Sequence, residues 1–497
     1  MTQHFPALII VIPLLAAILT PLIGPLNRRL CYPWLVLSIG LTGCLAIALM
    51  AQVIMSGPIS YNMGNWAPPW GIEYRIDQLN ALLMVLITGA GFLGSIYSGP
   101  SFAKELPDQL TTATTLYLLM ICGLLGIVIT GDLFNIFVFL EIASLSGYGL
   151  LACGSPDAPL ATFRYIIMGT IGASCYLLGV GYLYISTGSL NLADLHNLLP
   201  GLYHSRVILT AGALMLIGIS LKMALFPLHA WLPEAYYEAP SAVSGVVAPL
   251  YTKVGGYLMI RIMYNLFEPR FFTEIVPLTS LLSWVAIIAL LIGSIYAIAQ
   301  KDLKKMLCYS VIAQVGYIVL GIALANRAGF TSSILTMINE VCTKSCIFLA
   351  TGAIIYRIGN SRIDNLQHLF RRMPYTMLAF TIGAFSMIGV PPTCGFFSKL
   401  YLLFGCIAGG HWTFIAALLI STILNVIYFF RVIKVACFED PKPDYGRTEA
   451  YPEIEVEEVP AAMLIPILIA ASSIVITGLG SHWIVANLIN PMIPVGF

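Results

Sequence analysis

Residues 132–153 read DLFNIFVFLEIASLSGYGLLAC, an apolar run long enough to cross a bilayer, with one carboxylate, Glu141, near its centre. A spanning helix needs about 20 mostly apolar residues, and a charge at its middle costs roughly 2.5–3.5 kcal/mol on insertion scales, so such a residue marks a functional position. Comparable runs fill the chain almost end to end, at 4–25, 32–55, 77–99, 112–130, 132–153, 162–187, 207–237, 242–267, 276–300, 304–325, 329–357, 374–405, 411–437 and 459–488. Hydrophobic residues make up 59% of the chain and charged ones 9%, against about 25% charged in soluble domains. A soluble fold is excluded. The expected fold class is an all-α polytopic membrane protein of about 14 transmembrane helices.

The first run is expected to stay as a helix. It has no basic start and passes into Pro25, Asn27, Arg28 and Arg29 without a cleavage site of small residues, so it is no signal peptide. The 11 cysteines show neither metal-ligand pairing nor a loop cluster that would suggest disulfides, and they read as small core residues. Cys342 and Cys346 fall one helical turn apart, a spacing that packing explains when no further ligands stand nearby. No metal site is expected. A net charge of +1 gives no basic footprint for nucleic acid.

With both termini outside, Arg28, Arg29, Lys104, Arg164, Lys301, Lys304, Lys305, Arg357, Arg362, Arg371, Arg372, Arg431, Lys434, Lys442 and Arg447 fall on the cytoplasmic side. Only Arg75, Arg206, Arg261, Arg270 and Arg327 fall on the other, and this bias of 15 against 5 is what the positive-inside rule expects of a plasma-membrane (inner-membrane) protein. The one long polar stretch, 439–458, carries Glu453, Glu455, Glu457 and Glu458, read as a solvated face or a subunit contact.

Two spans are too long and too interrupted to be plain helices: the seventh holds Pro227 and Pro233, the twelfth Pro391 and Pro392. Proline removes a helical hydrogen bond and clashes with the preceding turn, and carbonyls freed at mid-membrane are tolerated where they face protein or a hydrated cavity. The breaks lie five spans apart, an odd offset that sets two five-helix units in opposite orientations, as in inverted-repeat transporters. The expected division is 1–110 (three N-terminal helices), 111–268 and 269–438 (the two repeats, each with a broken helix) and 439–497 (acidic loop and last helix).

Besides Glu141, the spans hold Lys222 before the first break, His229 after it, Lys253 in the eighth span, Glu340 and Lys344 in the eleventh, and Lys399 just beyond the second break. Burial disfavours an ammonium and a nearby carboxylate favours it, so moving Glu141 toward or away from Lys222 would load or unload a proton. Amines respond readily to desolvation, which suits Lys222, Lys253 and Lys399 to proton relay. The competing reading of Glu141 with Lys222 is a structural ion pair. Glu340 and Lys344, at i and i+4, can simply neutralise each other on one helix face, and His229 can bond a carbonyl freed by the break. Asp77 and Asp132, near span ends, read as caps or interfacial groups.

Extended motifs carry a resemblance. GDLFNIFVFLEIASLSGY (Gly131–Tyr148), KMALFPLHAWLPEAYYEAPSAVSG (Lys222–Gly245), QKDLKKMLCYSVIAQVGY (Gln300–Tyr317) and GVPPTCGFFSK (Gly389–Lys399) are similar to signatures of the antiporter-like subunits shared by respiratory complex I, membrane-bound hydrogenases and Mrp-type cation/proton antiporters. Within that family, PALIIVIPLLAAILTPLIG (Pro6–Gly24) and GNWAPPWGIEYRIDQLNALL (Gly64–Leu83) look most like the D-type component of Mrp antiporters. One departure stands out: where the eleventh helix of the family commonly has a histidine one turn before its lysine, this chain has Glu340, an acid able to pair with Lys344.

The resemblance implies a proton-translocating subunit of a multisubunit monovalent cation/proton antiporter, the cation being Na+, whose relay uses Glu141, Lys222, His229, Lys253, Glu340, Lys344 and Lys399. The alternative is a proton-pumping subunit of a complex I-like oxidoreductase or membrane-bound hydrogenase. The chain has no cysteine framework for an iron-sulfur cluster and no glycine-rich nucleotide fingerprint, so redox chemistry would lie in partner subunits, and no cofactor is expected.

Overall fold

The computed structural model describes residues 2–438, 457–494 and 497. A helical bundle opens with α1 (Phe5–Leu26) and α2 (Cys31–Ser56), continues through a hairpin of β1 (Ile59–Asn62) and β2 (Glu73–Ile76), and enters α3 (Gln78–Glu105). Next come α4 (Leu110–Ile129), α5 (Leu133–Ala152), α6 (Ala158–Thr187), the short α7 (Leu192–Leu198), α8 (Arg206–Lys222), α9 (Trp231–Glu238) and α10 (Ser241–Ile260). The second half holds α11 (Leu278–Ala299), α12 (Leu303–Ala323), α13 (Arg327–Ile358), the one-turn α14 (Leu369–Arg372), α15 (Pro374–Ile388), α16 (Cys394–Ala408) and α17 (Trp412–Phe438). The last long helix is α18 (Ala461–Leu479).

Among the described residues 12 helices are long and apolar enough to span a membrane. The two remaining expected spans are the broken pairs α8/α9 and α15/α16. The chain is an all-α polytopic membrane protein with one small hairpin, which its sequence pattern did not announce.

Both breaks arise from local backbone chemistry. Before Pro227, Ala224 adopts φ 57°, and before Pro391 and Pro392, Gly389 adopts φ 94°. Gly389 has a second reason to lack a side chain, because a Cβ there would sit 3.1 Å from Lys399 Cδ. Helix starts are set by polar caps: Asp77 accepts from Leu79 N and Asn80 N at 2.9 and 3.0 Å, Asp132 from Asn135 N at 2.7 Å and Asp302 from Lys305 N at 3.2 Å. Asp77 and Asp132 are thus the caps that their positions suggest.

The last two of these caps belong to a device that occurs twice. The segment ahead of α5 bonds the segment after α6, through Leu133 N to Leu190 O (2.9 Å) and Leu192 N to Gly131 O (2.8 Å). The segment ahead of α12 bonds the segment after α13 in the same way, through Leu303 N to Ser361 O (2.8 Å) and Ile363 N to Lys301 O (2.9 Å). These two crossings lie at opposite ends of the bundle. α10 connects the ends: Lys304 donates to Ala239 O just before its start, and Arg261 at its far end pairs with Asp77.

Every residue of α10 is buried, which makes it the central helix. α12 and α13 flank it and are buried along most of their length. Two expectations need correction. Glu458 is not a free solvated acid, whereas the Glu457 side chain is exposed as expected. Glu458 caps α15, accepting from Tyr375 N (2.8 Å), Thr376 N (3.1 Å) and Thr376 Oγ1 (2.7 Å), while Glu457 N donates to Arg372 O (2.8 Å). The carboxylate satisfies donors in the first turn of α15 that have no partner within the helix. Glu453, Glu455, Lys442 and Arg447 lie outside the described residues. Cys44 and Cys437 are exposed on outward helix faces and do not serve as core.

Candidate functional site: buried glutamate and lysine pairs

The first pair forms where α5 meets the end of α8. Lys222, the last residue of α8, directs Nζ to 3.6 Å from Glu141 Oε1 and donates to Ser144 Oγ at 2.8 Å. Ser144 follows Glu141 by three positions, so one face of α5 offers both a charge and a hydroxyl to the same amine. The side chain of Lys222 is 10% exposed and that of Glu141 29%. Space for the group comes from Gly169 on α6, where a Cβ would collide with Tyr148 OH and lie 3.7 Å from Lys222 Nζ. The carbonyls at the end of α8 are taken up within the break: Leu221 O accepts from Trp231 Nε1 (3.2 Å) and Ser220 O from Leu225 N (2.9 Å).

The second pair sits at the centre of the bundle. Lys253 Nζ on α10 lies 3.5 Å from Glu340 Oε2 on α13, and the two side chains are 1% and 0% exposed. The expected i, i+4 pairing of Glu340 with Lys344 gives way to this contact between helices. Lys344 instead donates to Ser310 Oγ on α12 at 2.5 Å. Lys253 also donates to Ala248 O at 3.1 Å, while neither carboxylate oxygen of Glu340 has a hydrogen-bond partner among the described residues. Lys344 stands one turn along α13 from Glu340.

Lys399 completes the set from α16. Its Nζ donates to Met387 O (2.8 Å) and Ile388 O (2.9 Å), carbonyls that the second break frees at the end of α15. An ammonium suits that position, since the C-terminal end of a helix carries partial negative charge. The amine also lies 5.1 Å from the ring centre of Tyr317, whose hydroxyl donates to Ser421 Oγ at 3.0 Å. His229 bonds none of these groups among the described residues: its ring stacks on Phe226 at 5.2 Å, and Nδ1 has no hydrogen-bond partner there.

The structure therefore joins Glu141 to Lys222 and Glu340 to Lys253, holds Lys344 on Ser310 and Lys399 on the carbonyls of the second break, and pairs His229 with none of these groups among the described residues. Ser144, Ser310 and Tyr317, which hold the amines, were not singled out from sequence. A hydroxyl facing an amine across helices leaves no mark in linear spacing. Between the two clusters lie tyrosines: Tyr251, two residues before Lys253, donates to Ala143 O at 2.6 Å, and Tyr148 packs on Tyr165 at 4.6 Å. Buried polar atoms without a hydrogen-bond partner among the described residues include Tyr148 OH, Tyr236 OH, Thr252 Oγ1 and Gln314 Nε2. Among the described residues no group of three or more His, Cys, Asp or Glu could hold a metal ion.

Fold and site together define a class: a polytopic membrane protein that keeps ionisable pairs in its interior. The family model described as NADH:quinone oxidoreductase/Mrp antiporter, TM, matches residues 130–425, and the chain belongs to that family of antiporter-like subunits. It is 41% identical over 99% of each chain to the N-type component of the NADH-quinone oxidoreductase of Desulforudis audaxviator (strain MP104C). To the D-type component of the Na(+)/H(+) antiporter of Bacillus subtilis (strain 168) it is 29% identical, covering 97% of this chain and 95% of that one. Among solved structures, a chain of the membrane-bound sulfane sulfur reductase, an archaeal respiratory membrane complex, superposes with a TM-score of 0.90 at 31% identity, covering 98% and 96% of the two chains. A chain of the Mrp complex from Dietzia sp. DQ12-45-1b shares the fold with a TM-score of 0.85 at 24% identity, covering 99% and 98%.

Proposed function

We propose that this chain is the proton-translocating membrane subunit of a multisubunit complex, with protons stepping along Glu141, Lys222, Lys253, Glu340, Lys344 and Lys399 and with His229 at the margin of the first break. The observation that carries the reading is the double meeting of carboxylate and amine inside an apolar bundle, at 3.6 Å and 3.5 Å. Charges there are costly and face the interior or a hydrated cavity when they are retained. The second cluster holds more amines than carboxylates, so its proton occupancy is shared. Moving one charge shifts the others. Buried polar atoms are satisfied by protein or ordered water, and the buried hydroxyls of Tyr148 and Thr252, without partners among the described residues, support water-filled steps beside the two clusters.

A neighbouring subunit belongs to this reading. Phe134, Val138 and Leu145 are exposed on the stripe of α5 that also carries Glu141, whose side chain keeps 29% of its surface open. A carboxylate facing lipid is unfavourable, and a partner protein is the cover that fits. The chain sits in a cell membrane with both termini outside, an orientation supported by the lysine and arginine bias between the two ends. The paired crossings at opposite ends of the bundle support division into two inverted repeats, 111–268 and 269–438.

Two driving forces have specific support. The 41% identity to a protein named as part of an NADH-quinone oxidoreductase favours protons driven by electron transfer in partner subunits. The 29% identity to a protein named as part of a Na(+)/H(+) antiporter favours exchange against sodium. Inside-out vesicles holding the assembled complex separate them. Lumen acidification that follows electron-donor oxidation and ignores sodium supports the first, and sodium-driven proton movement supports the second. No proton movement under either drive, with assembly verified, refutes translocation.

A further inference from the structure

At the hairpin end of the bundle lies a cavity of about 1120 Å³, lined along α10 and its continuation by Tyr257, Arg261 and Tyr264, with Asp77 and Asn80 beside them. Lys253 stands on the same helical stripe one turn deeper, at i−4 from Tyr257. Its amine is turned away from the cavity, toward Ala248 O and Glu340.

Apolar side chains pack on the α10 backbone at the level of the turn between. Gly255 and Gly256 allow Met223, Ile318 and Met337 to pack directly on the α10 backbone: a Cβ on Gly256 would lie 3.1 Å from both Ile318 Cγ2 and Met337 Cε, and one on Gly255 would lie 2.6 Å from Met223 Cβ. Each of the two methionines neighbours a relay residue, since Met223 follows Lys222 and Met337 precedes Glu340 by three positions.

Above this layer the cavity floor is latched. Tyr257 OH donates to Val128 O (2.8 Å) and accepts from Asn80 Nδ2 (2.9 Å) and Arg261 Nε (3.1 Å). Arg261 Nη2 donates to Asp77 Oδ1 at 2.6 Å and also to Asn80 Oδ1. The hydroxyl is fully committed, so it cannot pass a proton until Arg261 lets go.

We propose that this cavity is the aqueous port of the proton path at the hairpin end, where Lys253 exchanges a proton with water, and that the Met223, Ile318 and Met337 layer beneath the Arg261 and Tyr257 latch is its gate. An apolar constriction blocks conduction by excluding water, and methionine, unbranched and flexible, clears such a layer by changing rotamer without moving backbone. When the gate opens, the Lys253 ammonium gives its proton to a cavity water and becomes a neutral amine. When it closes, Glu340 is again the nearest charge. Arg261 is a positioning residue here and carries no proton.

The inference rests on the proton-relay reading, and its test separates the two. The assembled complex is reconstituted in liposomes, and passive proton conductance is measured beside driven proton movement. Met337→Gln, a polar side chain of similar length, should hydrate the layer and raise passive conductance at least tenfold, and adding Lys253→Met should return it to the wild-type level. No rise in Met337→Gln at equal assembly overturns the port, as does a leak that survives Lys253→Met. Gly256→Ala works in the opposite sense by thickening the layer, and driven movement should fall several-fold with assembly unchanged; wild-type flux in that variant overturns the gate. Wild-type complex without driven movement would overturn the relay itself, whereas a failure of the port alone shows as normal wild-type drive with variants that behave like it.

Discussion

Removing the Glu340 carboxylate separates the structural from the functional meaning of the central pair. The Lys253 ammonium lies 3.5 Å from it, with both side chains almost wholly out of solvent. At an effective dielectric of about 20, that separation is worth about 5 kcal/mol of attraction, of the order of the 3–5 kcal/mol lost when a buried pair loses one member. Glu340→Gln keeps the shape and strips the charge. Lys253 must then shed its proton or stay charged with only the Ala248 carbonyl and no counter-charge. The expected result is a fall in driven proton flux of at least tenfold, together with a loss of thermal stability in the purified complex. Glu340→Gln combined with Lys253→Met removes both charges, so stability should recover while flux stays absent. The assay is lumen acidification in inside-out vesicles, scaled to assembled complex. Wild-type flux in Glu340→Gln would refute the relay role of the pair, and a double variant no more stable than the single one would refute the electrostatic account.

Three further outcomes are expected. Glu141→Ala should abolish coupled transport while leaving assembly largely intact, since the residue is partly open and its amine keeps Ser144 as an acceptor; proton flux in proteoliposomes measures this, and normal flux would contradict it. Gly389→Ala should lower both stability and flux, by about 1 kcal/mol or more for a side chain held at φ 94° and by displacing the Lys399 stem that passes 3.1 Å from the added carbon; thermal unfolding and flux measured together test this, and an Ala variant equal to wild type in both would count against the geometry of the second break. Glu458→Ala should cost about 1 kcal/mol through loss of the cap on α15 with little change in flux per assembled complex, read as a drop in melting temperature.

Much of this architecture was legible because the bilayer imposes simple rules. Twelve of the fourteen expected spans are helices long and apolar enough to cross a membrane among the described residues, and both breaks follow from proline. The Glu141 and Lys222 contact was also within reach, because two lone charges in neighbouring apolar spans have few alternatives. The partner of Glu340 was not. The i, i+4 rule points to Lys344 on the same helix, but the packing of α10 against α13 brings Lys253 closer, and Ser310 takes Lys344. That choice depends on how the central helices cross, which local spacing does not encode. For the same reason the sequence did not reveal the Lys399 acceptors, since which carbonyls a broken helix frees is known only once its two halves are in place. The Glu458 cap was missed because an acidic, polar stretch reads as solvated unless the start of α15 is seen beside it.

The central claim is that a lysine in this interior carries a proton and is more than a fixed charge, and Lys399 tests it most directly. Its amine is held by two carbonyl oxygens at the second break, next to the Tyr317 ring. Lys399→Ala should eliminate driven proton movement, and Lys399→Glu should retain part of it, because a buried carboxyl can also take up and release a proton. Arginine preserves the charge but is effectively never deprotonated. The decisive measurement is therefore proton flux through the assembled complex bearing Lys399→Arg: flux is predicted to be lost, and an arginine variant that pumps at the wild-type rate would contradict the account.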